Sequence, residues 1–169
     1  MTKAATPKLG AYAALAGAGL LAALVLGRPE LAALAAPFAA LLVVGLSLAE
    51  APRLSAVLGL EPERQVQGET VKAEIELRAE KPVPRVELLL DLPPELAAET
   101  PNPQLFRLGY ERRELEHVLR CERWGAHRVG ELVLRTHDTF GLFVFEQTLD
   151  LRKPVKVYPR GEALRQLLR

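Results

Sequence analysis

Residues 9–27 read LGAYAALAGAGLLAALVLG and residues 31–49 read LAALAAPFAALLVVGLSLA, with Arg28-Pro29-Glu30 between them. No charged residue falls between Lys8 and Arg28 or between Glu30 and Glu50, and each uncharged run is 19 residues long. A helix rises about 1.5 Å per residue, so each run covers roughly 28 Å. That approaches the ~30 Å hydrocarbon thickness of a bilayer. Three linking residues can only reverse the chain, so spans at about 9–27 and 31–49 are expected to form an antiparallel transmembrane hairpin. Pro37 is compatible with a membrane helix, where neighbouring groups satisfy the carbonyl it frees. Gly10, Ala13, Ala14, Gly17 and Ala18 recur at three- and four-residue spacings, the pattern of a close helix-packing face.

Orientation is read from Lys and Arg at the span ends. Lys3 and Lys8 precede the first span without an acid, the turn balances Arg28 against Glu30, and Arg53 follows the second span. This favours an N-terminus and a soluble domain on the inner side of a cell membrane. A cleaved signal peptide in the first run would leave the second as a stop-transfer segment with the domain still inside. Failure of the Ala-rich second run to insert would place the domain outside.

The whole sequence has 22 Lys+Arg and 21 Asp+Glu; setting aside Lys3, Lys8, Arg28 and Glu30 leaves 19 and 20 from Glu50 onward. A balanced domain offers no basic face for nucleic acid. The lone Cys121 cannot form an internal disulfide and reads as a half-buried strand residue.

After Arg53 the pattern alternates. Val71, Ala73, Ile75 and Leu77 interleave with Lys72, Glu74, Glu76 and Arg78, a period of two that marks a strand with one wet face. Val86 to Leu92 repeats it between Pro84 and Pro93-Pro94. Further strands are expected at Ala56–Leu60, Leu115–Cys121, around Leu132 and Leu134, at Leu142–Leu149 and at Val155–Val157. Gly125 and Gly130 are expected to flank a hairpin turn, and Glu95–Tyr110 to be a looser stretch. Seven short strands argue for an all-β, immunoglobulin-like antiparallel sandwich, with a small barrel as the alternative. The organisation is then a helix hairpin at 1–53, a sandwich at 54–160, and the start of a helix or a tail at 161–169.

Chemistry-bearing patterns are sparse. His117, His127 and His137 are ten residues apart, which is no ligand spacing on a single element, and are expected on different strands as hydrogen-bonded residues. His137-Asp138 lacks a nucleophile, since the serines are Ser47 and Ser55, and Asp138 ahead of Gly141 reads as a turn residue that caps its own backbone. Trp124 is expected to pack in the core or at a sheet edge. No catalytic, cofactor or metal residues are assigned.

Arg123-Trp124-Gly125-Ala126-His127-Arg128-Val129-Gly130, with Thr136-His137-Asp138-Thr139-Phe140-Gly141-Leu142-Phe143, resembles the "RG-x-[HY]-x-x-G … D-P-F-G-L-F" stretch of a bacterial family known as domain of unknown function fifty-eight (DUF58). Val155-Lys156-Val157-Tyr158-Pro159 is similar to its "V-x-V-Y-P" strand, and Val66, Gly68, Glu69 and Val71 to its "V-x-x-G-E-x-V". The resemblance implies a two-helix hairpin followed by the sandwich, over essentially the whole chain. Thr139 stands where that family has Pro, and Trp124 interrupts its Arg-Gly pair. Its members continue into a von Willebrand factor A-like domain, whereas this sequence ends at Arg169, so roles of that domain are not carried over. The family's association with MoxR-type AAA+ ATPases implies such an ATPase, or a von Willebrand A-domain protein, as partner. The expected function is a non-enzymatic, membrane-anchored interaction module, with an exported adhesion or ligand-binding sandwich as the alternative and a histidine-dependent enzyme as the third reading.

Overall fold

The computed structural model describes residues 1–160, and the helix start or tail expected at 161–169 lies outside them. The chain forms two compact units, one of Met1–Pro52 with Thr136–Glu146 and one of Arg53–Arg135 with the chain from Gln147. Residues 136–146 fall inside the stretch 54–160 expected to be sandwich, but pack as part of the first unit.

The first unit opens with strand β1 (Thr2–Ala5), then helices α1 (Pro7–Leu26) and α2 (Pro29–Ser47). Each helix starts on a proline, whose fixed φ and missing N–H suit the first turn. Gly27 ends α1 in the left-handed conformation at φ 60°, its N–H bonded to the Ala23 carbonyl. The reversal is therefore Gly27-Arg28, and Pro29 and Glu30 belong to α2 instead of the expected linker. The expected packing face is also corrected: Gly10 and Gly17 meet open space. The close approach is at Gly19, where a Cβ would come within 2.6 Å of that of Ala35. Tyr12, Ala16 and Gly19 share the face, with the Tyr12 and Phe38 rings 6.0 Å apart. In so Ala-rich a helix several small-residue stripes compete, and the one that includes Gly19 faces α2.

The second unit contains β2 (Leu54–Glu61), β3 (Arg64–Val66), β4 (Thr70–Ala79), β5 (Val83–Asp91), β6 (Leu96–Ala98), β7 (Gln104–Leu108) and β8 (Arg113–Cys121). Strands β9 (Gly125–His137) and β10 (Phe143–Tyr158) run through both units. One sheet has the order β2-β4-β8-β6; the other continues from β10 through β9 and β5 to β7. Alternation decides what is buried: Leu58, Ile75 and Leu115 lie in register on β2, β4 and β8, and the first two are buried. They meet Val86, Leu88, Leu90, Leu132 and Leu134 of the other sheet in one core. Each such Leu contributes about 1.5–3 kcal/mol on full burial. Two facing sheets make this a sandwich, not the barrel that the pattern alone left open.

Several expectations are corrected. The two strands expected at Leu142–Leu149 and Val155–Val157 are one strand, β10, with Pro154 exposed inside it. The reading split it because proline donates nothing to a ladder. Beyond Pro154 the neighbour changes: Lys156–Tyr158 run parallel to Arg64–Val66, so one pairing departs from an all-antiparallel scheme. The looser stretch Glu95–Tyr110 holds two short strands, β6 and β7. Gly125 and Gly130 do not flank a turn; both lie within β9.

The glycine at position 68 has a physical reason. Gly68 turns the chain at φ 89°, its N–H bonded to the Cys121 carbonyl at 2.7 Å. The Arg160 guanidinium, which donates to the Gln67 carbonyl, fills the space where a side chain would stand. Gly68→Val is expected to cost about 1–3 kcal/mol from backbone strain alone, read as a lowered urea midpoint.

Candidate functional site

The outer surface of the helix hairpin is apolar. Leu24 and Val25 are 80% exposed, and Leu21, Leu26, Leu34, Val43 and Leu46 are exposed too. A helix that served as the core of a soluble domain would bury such residues. Both helices are long and apolar enough to cross a bilayer.

The base of the hairpin is built from the turn between β9 and β10. Asp138 organises it: Oδ1 accepts the Phe143 N–H at 2.7 Å and Oδ2 accepts the Phe140 N–H at 3.3 Å. The Gly141 N–H closes a β-turn on the Asp138 carbonyl at 3.0 Å. The turn role expected of Asp138 is thus met atom by atom. Thr139 occupies the second turn position, one that proline also favours in such turns. Gly141 is left-handed at φ 68° and aims Leu142 inward.

Leu142 is fully buried and, with Phe143 and Phe145, packs against Leu9, Tyr12, Leu41, Ala49 and Phe140. Gly45 of α2 lies directly against the Leu142 side chain. Backbone bonds complete the attachment. β1 pairs antiparallel with Phe143–Glu146, the Thr6 N–H donates to the Leu142 carbonyl at 2.8 Å, and the Thr6 hydroxyl donates to the Gly141 carbonyl at 2.7 Å. The Lys3 ammonium sits 3.9 Å from the Phe143 ring centre, a cation–π contact. Sequence reading missed the role of Leu142; the signal available was an apolar residue placed just after a capped glycine turn.

The remaining candidates stay apart. His117 is on β8, while His127 and His137 lie at opposite ends of β9, not on separate strands as expected. Ten residues of strand separate that pair by roughly 33 Å. His127 Nε2 donates to the Arg123 carbonyl at 3.2 Å, and Nδ1 lies 3.8 Å from the Glu95 carboxylate. Among the described residues no cluster of His, Cys, Asp and Glu could hold a metal. Cys121 is fully buried on β8, deeper than the half-buried position expected, and burial followed by nearby Glu69 raises its thiol pKa, which disfavours the reactive thiolate. Trp124 is 57% exposed in the β8–β9 connection, so the expected packing role is corrected. On the outer face of the four-stranded sheet a shallow cavity of about 570 Å³ is lined by Glu74, Glu76, Glu114 and Glu116. Lys72 pairs with Glu116 at 2.9 Å, and that bond raises its pKa. Arg78 and Arg112 both reach Glu76.

No family model matches the chain, and no curated protein matches it. Solved structures do. Native α2-macroglobulin from Escherichia coli, from domain MG7 to the C-terminus, is similar with a TM-score of 0.53 at 18% identity over 64% of this chain. This chain spans only 17% of that one, so the likeness is one of domain fold. A non-cellulosomal cohesin from Archaeoglobus fulgidus matches with a TM-score of 0.39 at 13% identity, covering 66% of this chain and 97% of the cohesin. The CARDB domain of a Pyrococcus furiosus protein, solved with di-metal ions, gives 0.38 at 14% identity, covering 64% and 90%. The likeness to the α2-macroglobulin fragment is one of β-sandwich fold alone.

Proposed function

We propose that the protein is a membrane-anchored, non-enzymatic interaction module whose helix hairpin crosses the bilayer and whose sandwich meets a protein partner. The observation that carries this reading is the exposed apolar surface of α1 and α2, with Leu24 and Val25 at 80%. In water that surface would drive aggregation; in lipid it is the favoured state. Lys3 and Lys8, at the same end of the antiparallel hairpin as the chain leaving α2, support an inner-face location for the sandwich. Resemblance to the domain of unknown function fifty-eight family adds a MoxR-type ATPase or a von Willebrand A-domain protein as partner. Asp138, Gly141 and Leu142 of the resembling stretch each have a structural task in the hairpin base.

The test is fractionation followed by labelling. The full chain is expected to remain in the membrane pellet after carbonate extraction, and release into the supernatant would overturn the anchor. Trp124→Cys places a reactive thiol at an exposed site while the native Cys121 stays buried. A membrane-impermeant maleimide is expected to label this variant in inverted vesicles and not in intact cells. Labelling in intact cells would instead establish the exported sandwich. Turnover of a substrate by the purified, reconstituted chain would remove the non-enzymatic reading.

A further inference from the structure

We propose that His117 and Thr100 form an acid-sensitive latch on the segment that carries the chain from one sheet of the sandwich to the other. The segment is Glu99–Pro103, between β6 of the four-stranded sheet and β7 of the sheet opposite. It is pinned at both ends. On one side the Glu99 N–H donates to the Val118 carbonyl at 2.8 Å, and the Thr100 hydroxyl accepts the Val118 N–H at 3.3 Å. On the other, Asn102 clamps the backbone of Leu90, accepting from its N–H at 2.9 Å and donating to its carbonyl at 2.7 Å.

His117 sits behind the first pin. It is fully buried opposite Ala73, with Nδ1 3.3 Å from the Thr100 oxygen. In the tautomer that carries its proton on Nε2, the Thr100 hydroxyl, which already accepts from Val118, donates to Nδ1. Nε2 is buried and has no partner among the described residues. An added proton changes both ends of the ring. Nδ1–H would turn the Thr100 hydroxyl from donor to acceptor, and the charge would rest in an apolar core, a costly position without a paired group.

Among the described residues no opposite charge faces the ring. On β8, Glu116 points outward to Lys72; on β4, Lys72 and Glu74 flank Ala73 on the exposed face. Beside β6, Glu99 lies 4.0 Å from Arg120 at the surface. The opposite sheet offers Val86, Leu88, Leu90, Leu132 and Leu134, and the core on the same strand also holds the Cys121 thiol. Burial alone lowers the His117 pKa below 6.5. The unfolded or opened chain therefore binds the proton more readily than the closed one. The stability His117 leaves intact above pH 6.5 is lost as pH falls through 6.5 toward the lowered value. Opening the segment to water relieves the charge while the paired strands β2 and β4 remain. The inference is independent of the membrane reading.

Hydrogen exchange on the full chain between pH 8 and pH 5.5 tests it, with rates corrected to protection factors. Protection at the Glu99, Val118 and Leu90 amides is expected to fall by up to about tenfold, while the Ile75 amide keeps its protection. The double variant His127→Gln, His137→Gln should behave as the native chain, and His117→Gln should lose the pH dependence. Should His117→Gln fail to fold, the native chain still decides the matter by NMR. Protection must begin to fall near pH 6.5, and the His117 ring of the closed chain must titrate below 6.5. Uniform protection across the range, persistence of the loss in His117→Gln, or a His117 ring that titrates at or above 6.5 in the closed chain would each overturn the latch.

Discussion

Gly130→Val is expected to destabilise the sandwich more than any other single replacement of a glycine. Gly130 lies inside β9 at φ 126°, a conformation that β-branched residues almost never adopt. A Cβ there would meet the Leu151 carbonyl oxygen at 2.9 Å and its carbon at 3.0 Å, as well as a methyl of Leu58. The methyl can rotate away; the β10 backbone cannot. Strain of about 1–3 kcal/mol adds to overpacking of about 1–3 kcal/mol, so a loss of roughly 2–6 kcal/mol is expected. Against total stabilities of about 5–15 kcal/mol, that takes a large part of the margin. Urea unfolding followed by circular dichroism measures it. A midpoint within experimental error of the native one would show that the Leu151 backbone lies farther from Gly130 than these distances. Gly10→Ala is the contrasting replacement, since open space surrounds Gly10 and little change is expected.

The second large effect is expected from Leu142→Asp. Leu142 is fully buried between the β9–β10 turn and both helices. The change removes an apolar side chain worth about 2–5 kcal/mol and puts a carboxylate among Leu9, Tyr12, Leu41, Ala49 and Phe140. The loss is expected to be at least about 3 kcal/mol and to be local to the first unit. The Thr6 and Phe143 amides report it, because one donates to the Leu142 carbonyl and the other to Asp138. Both should lose their exchange protection, while amides in β4 keep theirs. Leu142→Met, which nearly conserves volume, should cost under about 1.5 kcal/mol. Equal behaviour of the two variants would show that Leu142 is not the hub of the hairpin base.

What could be read from the sequence follows from where each segment meets water. β4, β5 and β8 announced themselves because each has one wet face, and Lys72, Glu74 and Glu76 interrupt the apolar residues at every second position. The helices were legible for the opposite reason, since nothing polar interrupts them. β7 was hidden because Leu105, on its exposed face, breaks the alternation. β1 carries no pattern at all: Thr2, Lys3, Ala4 and Ala5 are all exposed, and only pairing with Phe143–Glu146 makes them a strand. The proline inside β10 disguised one long strand as two. At the hairpin base the Asp138 turn was readable, being local chemistry between neighbours in sequence. The attachment of Leu142 to Leu9 and Leu41 was not, because no short-range rule links residues so far apart along the chain. The exposure of Trp124 and the orphan nitrogen of His117 likewise depend on three-dimensional neighbours that composition does not encode.

The backbone passes between the two units three times, after Pro52, after Arg135 and after Glu146. The sandwich is thus discontinuous in the gene, with part of the helical unit's foundation inserted in it. Any shortened chain that starts at Arg53 would keep Leu142, Phe143 and Phe145 while discarding Leu9, Tyr12 and Leu41, against which they pack. Removing the greasy helices to obtain a soluble fragment would uncover a second sticky surface, unless residues 136–146 were replaced by a short polar turn as well.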